Sequence, residues 1–543
     1  MTLPDKSLRG TFSKKNKLHA LFEVLFLLIA LSFAFHFIQE RIQHQILPGG
    51  DEGSWLSAAA QWSKGQGFST NWLEYHYLEP YTLPRPDDFR YPALVSLIGI
   101  GFLFFGIKYS VALYVVASIF FTFSLLFYFT IRKTYNRTTA ALSLLLLIFS
   151  LLQLTWNSVV YTEGLFGIVL CLIILGVKKD LTQLKWGFSM GALFALLYLV
   201  RPNGVLFLPA FCLSSYFALK QKTLSFKSVS VILLTSVVCL APWLIRSWIY
   251  FGNPFHIAGS AGLLKDTVQE TDTLTLLSFF ENNGLFFPLK RVVLGSYNFF
   301  INLHYYEHGL EALPLLGVVI GIWKRKKFHT LFITLAFAIT LLMCFYSSYN
   351  AWAGVRYFSG FIPFVYAYGI HQLLSLLKKF RPLSPSIRWG AITLLLVVLL
   401  SPVFYPHRFY ERKYSQAPIL KQEAVSDYIQ TLQSTLPPSN IYLAMSLGQL
   451  NFMANRKCIG IQGSEYKVAL SKALSLLKPT LLVLTPNEYK SKMGGDILKF
   501  IERKGYLLSN PIVTSLGVFI SLSKQVTLTS SHKTIAFYYE KNL

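Results

Sequence analysis

Charged residues are scarce in this chain: they make up 14% of its 543 residues, and only 25 of them are acids. With 53% hydrophobic and 16% aromatic residues besides, the composition excludes an ordinary water-soluble globule, which carries about 25% charged residues. Cysteine is scarce too. Cys171, Cys212, Cys239 and Cys344 lie inside apolar runs and Cys458 stands alone in the tail, so there is no disulfide framework and no metal-binding cysteine spacing. A Walker loop and a dinucleotide fingerprint are both missing, which removes the usual cradles for soluble nucleotides. Internal repeats and low-complexity tracts are absent as well.

What fills the chain is apolar sequence. Runs of about 15 to 22 residues recur from Leu18 to about Tyr405, the pattern of a polytopic α-helical membrane protein. Tyr, Phe and Trp cluster at the run ends, as residues at the lipid–water boundary do. The net charge of +25 is concentrated rather than spread. Six stretches (Met1–Lys17, Ile131–Arg137, Lys178–Lys185, Lys220–Lys227, Lys324–Lys327 and Lys378–Arg388) hold 22 Lys and Arg against two acids, Asp5 and Asp180. Positive short loops mark the cytoplasmic face. The charge therefore reports topology and partnership with a lipid bilayer, not with nucleic acid.

Spans are expected at about 18–38, 110–130, 138–155, 162–177, 186–200, 204–219, 229–249, 309–323, 330–346, 358–377 and 389–405. These eleven place the N-terminus inside and the C-terminus outside. The run Tyr91–Gly106 is left out, because a crossing there would turn Arg132, Lys133 and Arg137 outward. Short, Gly-containing and opened by Pro92, it reads as an interfacial or re-entrant helix. The first run lacks a small-residue cleavage site and is long for a signal peptide, so it reads as an uncleaved span.

A membrane domain, 1–405, thus has two long outward loops, at 39–109 and 250–308. From 406 to 543 the composition becomes that of a small extracytoplasmic α/β domain. There "QEAVSDYIQTLQ", "SKALSLLK" and "GDILKFIERKG" read as helices, and "NIYLAM" and "PTLLVLT" as strands.

The first outward loop begins "LPGGDEGSWLSAAAQWSKGQGF". Asp51 and Glu52 follow a Pro-Gly-Gly turn and precede Trp55, Leu56, Ala59 and Trp62 at helical spacing, as in a helix lying in the interface. The plain reading is that both acids start that helix, where its dipole favours carboxylates. Other matches add to this one. The acidic pair, Ala58 to Ala60, Gly65-Gln66-Gly67, Tyr91-Pro92-Ala93-Leu94, "YTEGLF" (Tyr161–Phe166), "RPNG" (Arg201–Gly204), "PWLIRSWIYFGNPF" (Pro242–Phe255) and "RYFSGFIPF" (Arg356–Phe364) occur in order. Together they resemble the GT-C superfamily of integral-membrane glycosyltransferases, which includes protein O-mannosyltransferases and lipid A aminoarabinose transferases.

That resemblance implies a polyprenyl-phosphate sugar donor, an extracytoplasmic acceptor that is lipid, glycan or protein, and a carboxylate that deprotonates the acceptor with inversion at the sugar. Asp51 would be the base and Glu52 its alternate. Glu163 is either a second acid near acceptor or metal, or a helix-start residue. Arg201, Arg246 and Arg356 sit at outward helix ends that otherwise carry almost no positive charge. An anionic donor phosphate is one partner for them, and lipid headgroups are the rival. Tyr91, Tyr161 and Tyr357, inside the matching motifs, are the candidate substrate contacts. No cofactor is required; a divalent metal ion is left open, since His76, His256, His304, His308, Glu74, Glu79 and Asp87-Asp88 fall in outward loops. None of these matches a metal signature, and Asp87-Asp88 reads as a solvated turn. A transporter, a lipid flippase or an inactive scaffold of the same fold are the alternatives. The compartment expected is a bacterial inner membrane.

Overall fold

A computed structural model of the chain describes residues 14–44, 50–73, 82–179, 183–220, 225–256, 284–307, 328–347 and 353–379, then 439–444, 455–460, 474–484, 492–504, 506–509, 512–513 and 518–524, with a few single residues between these. The expected spans 309–323 and 389–405, the helix "QEAVSDYIQTLQ", and His76, His308, Glu74 and Glu79 lie outside the described residues, entirely or nearly so.

The helices are α1 (Lys14–His44), α2 (Gly50–Ser63), α3 (Pro92–Phe105), α4 (Tyr109–Thr134), α5 (Arg137–Phe149), α6 (Leu151–Asn157), α7 (Glu163–Val177), α8 (Leu184–Val200), α9 (Phe207–Lys220), α10 (Phe226–Phe251), α11 (Phe287–Glu307), α12 (Phe328–Ser347), α13 (Ala353–Ser359), α14 (Ile362–Lys379) and α15 (Lys492–Arg503). Among the described residues Leu21–Glu40, Tyr109–Thr134, Pro202–Lys220 and Phe226–Phe251 are long and apolar enough to cross a bilayer, and α5 with α6 makes a fifth if counted as one bent span. The chain is thus an integral membrane protein by its helices. Their outer faces are apolar: Leu234, Val237, Val238, Ile245 and Ile249 of α10 are all exposed, as lipid contact requires. Inside the bundle, Gly191 of α8 lets α10 approach closely. A Cβ there would stand 2.5 Å from the Ile232 carbonyl oxygen.

Glu23 is an acid within the first span, and it is not left bare. Tyr128 Oη donates to it at 2.7 Å, Arg132 pairs with it at 2.7 Å and Arg137 at 3.7 Å, so its charge is matched at the basic end of α4.

The segment expected as one span at 138–155 is broken. α5 and α6 meet at a 62° bend, and Ser150 makes it. The Ser150 hydroxyl accepts the Gln153 N–H at 3.1 Å, capping α6, and donates to Glu307 Oε1 at 2.7 Å. A cap and a buried acceptor together replace the helical continuation. The segment 250–308, expected as loop, contains the 21-residue helix α11. It packs against α12, α13 and α6.

α2 also departs from expectation. Rather than lying on an interface, it is buried from Glu52 to Gln61, with Leu56, Ala58 and Ala59 fully enclosed. Its neighbours are α3 and β1 (Ser69–Thr70), which pairs with β3 (Arg85–Pro86). Glu52 fixes its first turn: Tyr109 Oη and the Val160 N–H both donate to Glu52 Oε1 at 2.9 Å.

The same loop supplies β2 (Trp72–Leu73) to a sheet made otherwise from the C-terminal part: β4 (Ile441–Ala444), β5 (Lys457–Gly460), β6 (Leu481–Leu484), β7 (Tyr506–Leu508), β8 (Ile512–Val513) and β9 (Val518–Lys524). The order is β2-β5-β4-β6-β9-β7, with β8 on β9. β2, β5, β4 and β6 run parallel, Trp72 opposite Cys458 and Leu73 opposite Ile459. Leu73 enters a core with Leu443, Ile459, Leu482, Ile520 and α15's Ile497 and Ile501. Loop and tail are therefore one folded unit, although nearly the whole bundle separates them in sequence.

Two outcomes follow. Leu73→Ala is expected to cost about 2–4 kcal/mol, read as a lower unfolding midpoint with faster amide exchange in β4, β5 and β6 but not in α4. Glu52→Ala strips the buried Val160 N–H of its acceptor, a loss of about 1–3 kcal/mol. Glu52→Gln keeps an acceptor oxygen and should unfold closer to wild type in the same thermal assay.

Candidate functional site

The turn 157–163 sits between α6 and α7 and brings the most chemistry together. Asn157 Nδ2 donates to the Gln153 carbonyl at 2.8 Å, and Gln153 Nε2 donates to the Ser359 carbonyl at 2.7 Å. These bonds tie the end of α6 to α13. Gly360, next to Ser359, allows the approach on the α7 side, because a Cβ there would lie 3.0 Å from the Phe166 ring and 3.2 Å from the Glu163 carbonyl oxygen.

Glu163 opens α7 and is 1% exposed. Two cations pair with it. Its Oε1 lies 3.2 Å from Arg201 Nη1 and 3.5 Å from Arg356 Nε. Arg201 ends α8 just before the 3-10 turn Pro202–Leu206, and Arg356 comes from the middle of α13. Aromatic rings complete the cluster. The Arg356 guanidinium lies 3.8 Å from the Tyr161 ring centroid and 5.3 Å from that of Trp156, and Arg201 lies 4.6 Å from that of Tyr357. Such faces attract guanidinium groups. Two guanidinium groups thus share one carboxylate oxygen. Glu163 Oε2 is buried and has no hydrogen-bond partner among the described residues.

Through Glu52's bond to Val160, the first turn of α2 lies against this same turn. The backbone of Asp51 therefore stands next to it; the Asp51 side chain is outside the described residues. Glu52 itself is 2% exposed and committed to Tyr109 and Val160. That makes it the anchor of α2, and its bonds explain why a second acid follows Asp51.

The three arginines expected in one pocket are divided. Arg246 Nη2 donates to the Phe68 carbonyl at 2.6 Å and to the Asp87 carbonyl at 2.8 Å, with its guanidinium 4.6 Å from the Trp243 ring centroid. The charges around it are those of Arg85, Asp87 and Asp88. Arg246 clamps the first loop onto α10. Tyr91 goes with it, packed edge-on against Tyr198 at 5.4 Å and near Trp243 at 5.7 Å. Tyr161 and Tyr357 go with Glu163. The row Trp243–Tyr91–Tyr198 leads toward Arg201, which follows Tyr198 by three residues on the same helix end.

Asp87 and Asp88 are not a solvated turn; they are 3% and 5% exposed. Asp87 Oδ1 accepts the backbone N–H groups of Phe89 at 2.9 Å and Arg90 at 3.1 Å. Burial and the neighbouring Asp88 nevertheless push its carboxyl above the usual range, against the pull of those N–H groups and of Arg90. Asp88 lies 3.2 Å from Arg85 and 2.8 Å from His256 Nε2. Among the described residues no group of three His, Cys, Asp or Glu is placed to hold a metal ion.

Sequence reasoning missed Trp156, Glu307 and Glu311. Trp156 ends an apolar run and looks like an interfacial anchor; only the fold brings it to Arg356. Glu307 and Glu311 lay in or beside an expected loop, where acids draw no attention.

No protein-family model matches the sequence, and no curated protein matches it. Its fold does match solved structures. ArnT from Cupriavidus metallidurans bound to undecaprenyl phosphate aligns with a TM-score of 0.52 at 13% identity, covering 92% of this chain and 98% of that one. The Archaeoglobus fulgidus oligosaccharyltransferase tethered to an acceptor peptide with the NVT sequon aligns with a TM-score of 0.56 at 14% identity, covering 95% and 75%. The AglB oligosaccharyltransferase from Archaeoglobus fulgidus, in complex with an inhibitory peptide and a dolichol-phosphate, aligns at 0.53 and 14%, covering 93% and 74%. The chain thus has the GT-C fold that its sequence motifs resemble.

Proposed function

We propose that this protein is a glycosyltransferase that moves a sugar from a polyprenyl-phosphate-linked donor to an acceptor on the extracytoplasmic side. One observation carries the reading: Glu163 holds the guanidinium groups of Arg201 and Arg356 together beside the helix turn that bears Asp51. Solved structures of the same fold bind undecaprenyl phosphate and dolichol-phosphate, ligands of the charge this cluster suits. The 406–543 segment, joined to the first loop through β2, would take part in acceptor binding. The cellular setting is a bacterial inner membrane with the N-terminus in the cytoplasm.

In the reaction, an acceptor hydroxyl or amine attacks the anomeric carbon as its proton passes to the Asp51 carboxylate. The bond from anomeric carbon to phosphate oxygen breaks, and the electron pair leaves with the polyprenyl phosphate. Arg356 and Arg201 take up the charge that develops on that phosphate. Attack from the face opposite the leaving group inverts the sugar. Glu163 keeps the two guanidinium groups together before the donor arrives, and Tyr161 and Tyr357 hold their planes. Tyr91 supports the loop wall with Arg246 and contacts substrate at that edge.

Asp51→Asn should lower transfer from a labelled polyprenyl-phosphate sugar by about 100-fold or more while leaving the unfolding midpoint near wild type. Arg356→Lys, which keeps charge but loses the planar fork, should fall about tenfold or more. Unchanged transfer by Asp51→Asn would remove Asp51 as base. An absence of transfer by the wild type across a donor panel would favour a transporter or an inactive scaffold.

A further inference from the structure

Glu307 and Glu311 form a second acidic cluster, at the opposite end of α6 from the arginines. They are 1% and 8% exposed. One oxygen of each is engaged: Glu307 Oε1 accepts from Ser150 at 2.7 Å, and Glu311 Oε1 lies 2.9 Å from His304 Nδ1. The other oxygen of each, Oε2, is buried and has no hydrogen-bond partner among the described residues. Nor does any described Lys or Arg form an ion pair with either acid; among the described residues the basic contact is His304 on Glu311. A third group faces the same place. Tyr366 of α14 is 3% exposed, its Oη has no hydrogen-bond partner among the described residues, and it interacts electrostatically with both carboxylates.

Three buried oxygens without partners are an expensive arrangement. Burial and the nearby Glu311 push the Glu307 carboxyl up to about 8, against the pull of its Ser150 bond. Tyr366 brings an O–H donor, but no Lys or Arg among the described residues brings positive charge. A primary ammonium supplies that charge and three N–H donors, with no acceptor of its own. A metal ion is less well served: His304 touches Glu311, but among the described residues no three His, Cys, Asp or Glu side chains are placed to hold one. His304, the partner of Glu311, has a side chain 70% exposed and lines an open groove with Ser296, Tyr297, Phe300 and Ile301. Tyr306, next to Glu307 in sequence, lies 6.4 Å from Trp156, ring to ring, and Trp156 lies under Arg356.

We infer that Glu307 Oε2, Glu311 Oε2 and Tyr366 Oη form a recognition pocket for a primary ammonium group, entered past His304. This site is separate from the transfer chemistry, and its test reads binding instead of turnover. Full-length protein in detergent is titrated just above pH 8, where Glu307 is ionised, at constant ionic strength with ethanolamine hydrochloride, with ethylene glycol as the neutral analogue of similar size. The wild-type unfolding midpoint should rise with ethanolamine and stay flat with ethylene glycol and with sodium chloride. Glu307→Gln and Glu311→Gln should each weaken the apparent affinity about tenfold or more. Tyr366→Phe, which keeps the packing, should weaken it several-fold and serves alone should the Gln variants not fold. A flat wild-type response, an equal response to ethylene glycol, or a response unchanged in these variants overturns the assignment. So does a response to magnesium or manganese chloride in place of ethanolamine.

Discussion

The Glu163 carboxylate holds two guanidinium groups that would otherwise repel each other in a poorly solvated place. Neither Arg201 nor Arg356 could stand at that position alone at low cost, since burying an unpaired charge is among the largest penalties a fold can carry. One carboxylate for two cations is a partial settlement. It secures the geometry of both guanidinium groups. The aromatic faces of Trp156, Tyr161 and Tyr357 restrict where the guanidinium planes lie without neutralising them.

Everything around that interaction keeps its parts in register. Ser150 breaks the helix so that α6 can turn and deliver Trp156 and the 157–163 turn. Glu52 presses α2 onto the same turn from the other side. Arg246 holds the first loop by two backbone carbonyls, and β2 joins that loop to the C-terminal strands. Four segments far apart in sequence thus meet at one end of the bundle, each attached by buried polar bonds. Polar bonds in an apolar setting are direction-specific and costly to exchange, so they define a single arrangement where apolar packing alone would tolerate several.

Much of the architecture was legible in the sequence because hydropathy and charge report it directly. Runs at 110–130, 186–200 and 229–249 lie within the helices α4, α8 and α10, since a long apolar segment has few alternatives to a helix. The run at 138–155 was misleading for the same reason: hydropathy cannot register a bend made by one serine and an acid 157 residues away. Likewise α2 has the pattern of an interfacial helix, yet the loop and strands cover it. The amphipathic signal is the same whether water, lipid headgroups or protein lies on the polar side.

For the site, the sequence by itself determined the inventory: acids after the first span and before α7, and arginines at helix ends where the charge bias disfavours them. Residue type and topology bias suffice for that, because the cost of a charge near a membrane depends on local surroundings. Only the tertiary structure decided the partnerships. It gave Arg201 and Arg356 to Glu163, Arg246 to the first loop, and Glu307 to Ser150 and Glu311. Pairing depends on distances of 3 to 4 Å between side chains from different helices, and those distances follow from how the helices pack, which no linear spacing encodes.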